Sequence, residues 1–195
     1  MKIGVFVGSF NPVHKSHIKI AKSLIDKKYV DKVLIIPTNN YWNKTNIIDL
    51  KYRIDMLKYY ETKNIIIDNE NNNYEYTYQI IDALKRKNPD DEFSLIIGAD
   101  NIINFDKWKN YQDLLKLELI IFNRNDVDVL YYLNKLNKND KYIIENIDND
   151  NVSSSIVREN IKDKEFLRNY LDDEIIEYIY KNNLYGEEVL WRMLL

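Results

Sequence analysis

Short apolar runs alternate along this chain with stretches in which apolar residues recur every three or four positions. Residues 3–7 form a β-branched and aromatic run closed by Gly8, and residues 33–36 form a second, stopped by Pro37. Further runs occupy residues 65–67, 93–97 (closed by Gly98), 117–122 and 142–144. Runs of this length and composition read as buried strands. Between them the period changes. Ile18, Ile20, Ala21, Leu24 and Ile25 share one helical face, which predicts a helix over 16–27. A second helix is expected over 49–60, where Asp49 is placed to cap it, and a third over 77–87, ended by Asn88-Pro89. Single helical turns are expected at 101–105 and 111–115, and a helix over 127–136. From Ser153 the pattern is helical throughout, with two short helices at 164–170 and 173–182.

Buried strands alternating with amphipathic helices predict an α/β chain with a doubly wound parallel sheet and crossover helices. In such sheets ligands bind beyond the carboxyl ends of the strands, near the point where strand order reverses. The loops after the first and fourth strands, at Gly8 and Gly98, are therefore the candidate sites.

Composition narrows the chemistry. The chain has 195 residues, 45% hydrophobic and 30% charged, which suits a soluble globular domain. The net charge of −3 gives no reason to expect a nucleic-acid partner. Cysteine is absent, so disulfides, thiolate metal sites and cysteine nucleophiles are excluded. The first apolar run is too short for a signal peptide or membrane span, and a cytoplasmic location is expected. Oligomeric state stays open, with a homo-oligomer admissible.

Glycine and proline are scarce, at 4 and 3 residues, and both histidines lie three positions apart at His14 and His17. The stretch "FVGSFNPVHKSH" holds both histidines, one glycine and one proline. Gly8 ends a strand where the chain must turn, Pro12 stiffens the loop, and the histidines flank the start of a helix. A helix N-terminus offers free N–H groups and a positive dipole end, which favour phosphates, and imidazoles add donors there. The alternatives are a capping histidine and a metal-ligating pair, although no third histidine and no HExxH pattern exist. P-loop, GxGxxG and GxSxG patterns are all missing.

"GSFNPVHKSH" resembles the HxGH-type signature of the nucleotidyltransferase superfamily, whose members have a Rossmann-like fold. Three further stretches are similar to nicotinate-nucleotide adenylyltransferases: "LIIGADNIINFDKWKNYQDLL" (95–115), "NVSSSIVRENI" (151–161) and "LDDEIIEYIYKNNLYG" (171–186). "IPTNNYWNK" and "EYTYQI" match two substrate-side loops more loosely. The segments fall in family order and span nearly the whole chain. The resemblance implies one nucleotidyltransferase domain over 1–195, with residues 153–186 as a C-terminal helical part packed on it.

The same resemblance implies adenylyl transfer from ATP to nicotinate mononucleotide, with Mg²⁺ bound through the ATP phosphates and no metal ligands from the protein. It implies catalytic roles for His14, His17 and Arg158. ATP would be bound by Gly8, Ser9, Phe10, His14, His17, Gly98, Asp100, Ser153, Ser154, Ser155 and Arg158. Asp100 would accept from the ribose hydroxyls, its plainer reading being the cap of the 101–105 turn. Asn39, Lys44, Tyr76, Thr77, Trp108 and Arg124 would hold the second substrate, with Trp42 over the pocket mouth. Two departures from the family pattern stand out: Asn11 replaces an aspartate and Ser16 replaces a glycine, the latter expected to tighten the phosphate pocket. The competing functions are another small-molecule adenylyltransferase, such as the phosphopantetheine enzyme, and a non-catalytic nucleotide-binding protein of the same fold.

Overall fold

The computed structural model describes residues 1–39, 46–123, 127–146 and 153–186. Six described strands form one sheet: β1 (Lys2–Gly8), β2 (Lys32–Pro37), β3 (Ile65–Ile67), β4 (Glu92–Gly98), β5 (Glu118–Asn123) and β6 (Tyr142–Asn146). All pairings are parallel, in the order β3-β2-β1-β4-β5-β6. The order reverses between β1 and β4, as the alternation of runs and helices predicts for a doubly wound sheet.

The apolar runs are continuous because both faces of the sheet are covered. Phe6, Ile96, Ile120 and Phe122 pack into one core with Ile18, Leu24, Met56 and Leu57. Their strand neighbours Val5, Leu95, Ile97, Leu119 and Ile121 pack into the other with Ile80, Leu84, Phe105 and Leu133. The first core is covered by α1 (Lys15–Asp26) and α2 (Leu50–Lys58). The second is covered by α3 (Thr77–Lys87), α4 (Ala99–Ile102), α5 (Tyr111–Leu114) and α6 (Val129–Lys135).

The C-terminal helices α7 (Ser154–Glu159), α8 (Lys164–Arg168) and α9 (Asp173–Lys181) belong to the first core. Val157, Leu167, Ile175, Ile176 and Ile179 complete it. Polar contacts add to the join: Lys15 N–H donates to the Tyr170 carbonyl at 2.8 Å, and the Tyr178 hydroxyl donates to Asp55 at 2.8 Å.

Element ends differ from expectation where local contacts decide them. The turn expected at 101–105 instead begins directly after β4, with Gly98 at the cap position and Asp100 inside α4. Asp100 is therefore not a helix cap. A 3-10 turn follows at Phe105–Lys107. Asp49 sits at the cap position of α2 without a side-chain bond to the helix. Helix α6 is shorter than its apolar pattern because Asp128 caps it, accepting from Tyr131 N–H. Lys138, which reads as a surface charge, is buried and donates to the carbonyls of Leu115 and Leu117 at 2.7 and 2.9 Å.

Candidate active site

Beyond the carboxyl ends of β1 and β4 lies a cleft of about 410 Å³. Its floor is the end of both strands, with Val7, Gly8, Ile97 and Gly98. One wall is the loop Ser9–Asn11 with His17; another is Asp100, Asn101 and Trp108; a third is Ser154, Ser155 and Arg158. The switch point thus joins residues more than a hundred positions apart in the chain.

The Gly8–His14 loop is shaped by close packing. Phe10 takes a positive φ of 46°, so the left-handed residue of this turn is not glycine. The peptide bond before Pro12 is cis. Space at Gly8 is tight: a Cβ there would lie 3.2 Å from the Phe10 ring, which would have to shift by a few tenths of an ångström. Phe10 in turn stands edge-on to Phe6 and His17, with ring centres 5.3 and 5.1 Å apart.

His17 lines the cleft and His14 does not. His14 is buried behind it, at 1% exposure, at the cap position of α1. The two rings lie 3.6 Å apart, centre to centre. The His14 backbone N–H donates to His17 Nδ1 at 3.2 Å. Because Nδ1 accepts, the neutral His17 ring carries its proton on Nε2, which is then the donor. The first turn of α1 contains no acidic residue, so no carboxylate of that turn opposes an anion at its positive end.

Arg158 comes from α7, packed against the loop. Its guanidinium donates to the Asn11 carbonyl at 2.7 Å and to Ser155 Oγ at 3.1 Å. Ser154 Oγ donates to the Pro12 carbonyl at 2.9 Å. Ser153 caps α7, its hydroxyl accepting from Ile156 N–H at 3.3 Å, and it does not line the cleft. The ion pairs with Glu159 or Asp163 that Arg158 would make as a surface residue do not form.

Gly98 lines the cleft and leaves room for the Asp100 carboxylate. A Cβ there would lie 2.3 Å from Asp100 Oδ1 and 3.3 Å from the Phe122 ring. Gly98→Ala is expected to swing the Asp100 carboxylate out of place while preserving the fold. Where that carboxylate accepts from a nucleotide's ribose, as the resemblance implies, the KM for the nucleotide should rise about tenfold, the size of one lost charge-assisted hydrogen bond, with Tm as the control.

Trp108 is half-buried, stacked on Phe105 with ring centres 5.1 Å apart, and lines the cleft. Asn39, Tyr76 and Thr77 do not line it. Asn39 follows β2; Tyr76 and Thr77 open α3, with Tyr76 N–H held by Gln79 at 3.1 Å. Lys44, Trp42 and Arg124 lie outside the described residues. Ser16 is buried in the first turn of α1 and is not part of the cleft wall.

Sequence patterns missed the polar cluster behind the loop. Asn11 is buried and acts as its hub. Its Oδ1 accepts from Ile48 N–H at 3.2 Å and from the Tyr185 hydroxyl at 3.0 Å, and its Nδ2 donates to the Asn46 carbonyl at 2.8 Å. Burial pushes the Tyr185 phenol well above its ordinary value, so it stays a donor. The amide at position 11 explains the departure from aspartate, because a carboxylate cannot donate to the Asn46 carbonyl. Asn11→Asp should cost about 1–3 kcal/mol. A thermal melt would read this as roughly 2–4 °C per kcal/mol; an unchanged Tm would contradict the hub.

The arrangement is a polar cleft at a switch point, with donors suited to an anion and no P-loop. The chain matches the Cytidylyltransferase-like family over residues 5–160. It is 30% identical over 94% of its length, and 98% of the relative's, to a probable nicotinate-nucleotide adenylyltransferase of Clostridium acetobutylicum. It is 35% identical over 97% of its length, and 99% of the relative's, to another of Borreliella burgdorferi. The chain belongs to the nicotinate-nucleotide adenylyltransferase family within the cytidylyltransferase-like group. In fold it is similar to the Plasmodium falciparum nicotinic acid mononucleotide adenylyltransferase solved with NaAD. That match has a TM-score of 0.81 and 21% identity over 94% of this chain and 97% of the other.

Proposed function

We propose that this chain transfers the adenylyl group of ATP to nicotinate mononucleotide, releasing pyrophosphate and forming nicotinate adenine dinucleotide, a step of NAD biosynthesis in the cytoplasm. The observation that carries the reading is the cleft itself. It sets His17, Ser154, Ser155 and Arg158 on one side, and Asp100 and Trp108 on the other, in a chain whose relatives of that family match it end to end.

The acceptor's phosphate oxygen attacks the α-phosphorus of ATP. A bond forms from that oxygen to phosphorus, and the bond from the α-phosphorus to the bridging oxygen breaks. The electron pair leaves with pyrophosphate. The nucleophile is already anionic, so the protein needs neither a general base nor a covalent intermediate. Its work is alignment and charge stabilisation.

His17 donates through Nε2 to the phosphate where charge develops. His14 holds His17 in that tautomer through its backbone N–H and acts as a positioning residue. Arg158, the Ser155 hydroxyl and the Ser154 backbone N–H at the start of α7 take the outer phosphates, where a guanidinium can fork onto two oxygens, while the Ser154 hydroxyl holds the Pro12 carbonyl. Gly8, Ser9 and Phe10 form the bed beneath the nucleotide. Asp100 accepts from the ribose hydroxyls. Trp108 offers an aromatic face to the pyridine ring, with Asn39, Tyr76, Thr77, Lys44 and Arg124 assigned to the same substrate.

Mg²⁺ fits this site as a passenger on the triphosphate. Asp100 is the one carboxylate lining the cleft among the described residues, and no cluster of three metal-ligating side chains occurs among them. When bound, Mg²⁺ would neutralise phosphate charge and ease departure of pyrophosphate.

The test offers ATP with nicotinate mononucleotide, nicotinamide mononucleotide or phosphopantetheine in separate reactions, and follows pyrophosphate. The reading expects the highest kcat/KM with the nicotinate acid. Release with phosphopantetheine alone would move the chain to a different acceptor.

A further inference from the structure

The largest fully buried side chain in the described structure is a charged one, Arg53, at 1% exposure. It projects from α2, and its described partners are three carbonyl oxygens and no carboxylate. Nε donates to Ile48 at 3.0 Å. One terminal nitrogen donates to Ser9 at 2.8 Å and to Thr38 at 2.7 Å. Burial lowers its pKa to about 10, which leaves it charged at neutral pH.

A buried cation held only by carbonyls is a costly way to fill space, and an apolar side chain of similar volume would do so at lower cost. The identity of the three carbonyls shows what this one does instead. Ser9 follows Gly8 at the end of β1 and lines the nucleotide cleft. Thr38 follows β2, and its own N–H donates to the Gly8 carbonyl at 2.9 Å. Ile48 leads into α2, and its N–H is held by Asn11. The guanidinium therefore ties the loops after two neighbouring strands to each other and to the segment that enters α2.

We propose that Arg53 is a positioning residue that sets the nucleotide loop at Ser9 and the β2 exit at Thr38 in one geometry, so that both substrates meet a preformed cleft. The proposal rests on the adenylyltransferase reading for its second substrate, but its effect on ATP stands without it. Arg53 touches neither substrate. The planar fork matters because its donors leave in fixed directions from two different nitrogens. A lysine ammonium is a single point and cannot reproduce the Nε bond together with the other two.

The test uses Arg53→Lys, which keeps charge and most of the volume, and Arg53→Ala, which leaves a guanidinium-sized gap. For a folded Arg53→Lys enzyme, the expected result is a rise of about tenfold or more in the KM for ATP and for the acceptor. The dissociation constant for a non-hydrolysable ATP analogue, measured without acceptor, should rise in parallel. Added methylguanidine should partly restore ATP-analogue binding to Arg53→Ala, and methylamine should not. A purely structural role would lower kcat with the fraction of folded enzyme and leave both KM values alone. That outcome overturns the proposal. So does a lysine variant that fails to fold and an alanine variant that methylguanidine does not rescue. Should the wild type prove to use another acceptor, the analogue-binding arm still decides the role of Arg53.

Discussion

Replacing His17 with alanine should lower kcat by about 10²–10³-fold, the usual loss for one donor aimed at charge that develops in the transition state. The fold should survive. His17 is only half-buried, and its ring packs on His14 and Phe10 at the cleft wall, on the edge of the first core. The KM for ATP should change less than kcat, because a donor that tightens on the transition state contributes little to ground-state binding. His17→Gln is the informative partner, since its amide keeps a donor without the ring. It should recover part of the loss, read by steady-state kinetics beside a thermal melt. Retention of most of the activity by His17→Ala would remove the residue from the chemistry.

The second large effect is expected at Arg158. Arg158→Ala removes a charged donor from the cleft and also the hydrogen bond to the Asn11 carbonyl. Charge-assisted hydrogen bonds contribute about 1.5–3 kcal/mol each, so kcat/KM should fall by roughly one to two orders of magnitude for each phosphate bond lost. Arg158→Lys keeps the charge but not the fork, and should recover only part of it. Both variants should raise the KM for ATP more than the KM for the acceptor, because the α7 wall is assigned to the outer phosphates. An equal rise in both would assign Arg158 to holding the loop.

Much of the fold was legible because both faces of the sheet are buried. Strands covered on both faces leave largely apolar runs, such as 93–97 with Ser94 its one polar residue, that stand out from the helical period around them. Even β3, three residues long, was visible as Ile65–Ile67. The loop at Gly8 was legible for a different reason. Scarce residue types were concentrated there, and a phosphate site at a helix start needs that chemistry.

What escaped was set by contacts distant in sequence. Arg53 sits beside Lys51 and Tyr52 in α2, where a charge reads as a solvated face. Its burial comes from carbonyls at residues 9 and 38. Tyr185 reaches Asn11 across 174 positions, and no local pattern announces it. His14 and His17 look equivalent in sequence, yet the turn into α1 puts one at the cleft and the other behind it. Ser153 and Ser154 look alike too, yet the first caps α7 outside the cleft wall and the second lines it. At Asp100 the plainer reading, a helix cap, fails for a local reason: a helix starting at once after β4 leaves no room for the residue to act as its cap.

Incubating the wild-type protein with ATP, Mg²⁺ and nicotinate mononucleotide, and resolving the products by chromatography, tests the central claim most directly. The account predicts nicotinate adenine dinucleotide and pyrophosphate in equal amounts, both absent when either substrate is withheld. ATP binding without any dinucleotide, or pyrophosphate formed in the absence of nicotinate mononucleotide, would contradict it.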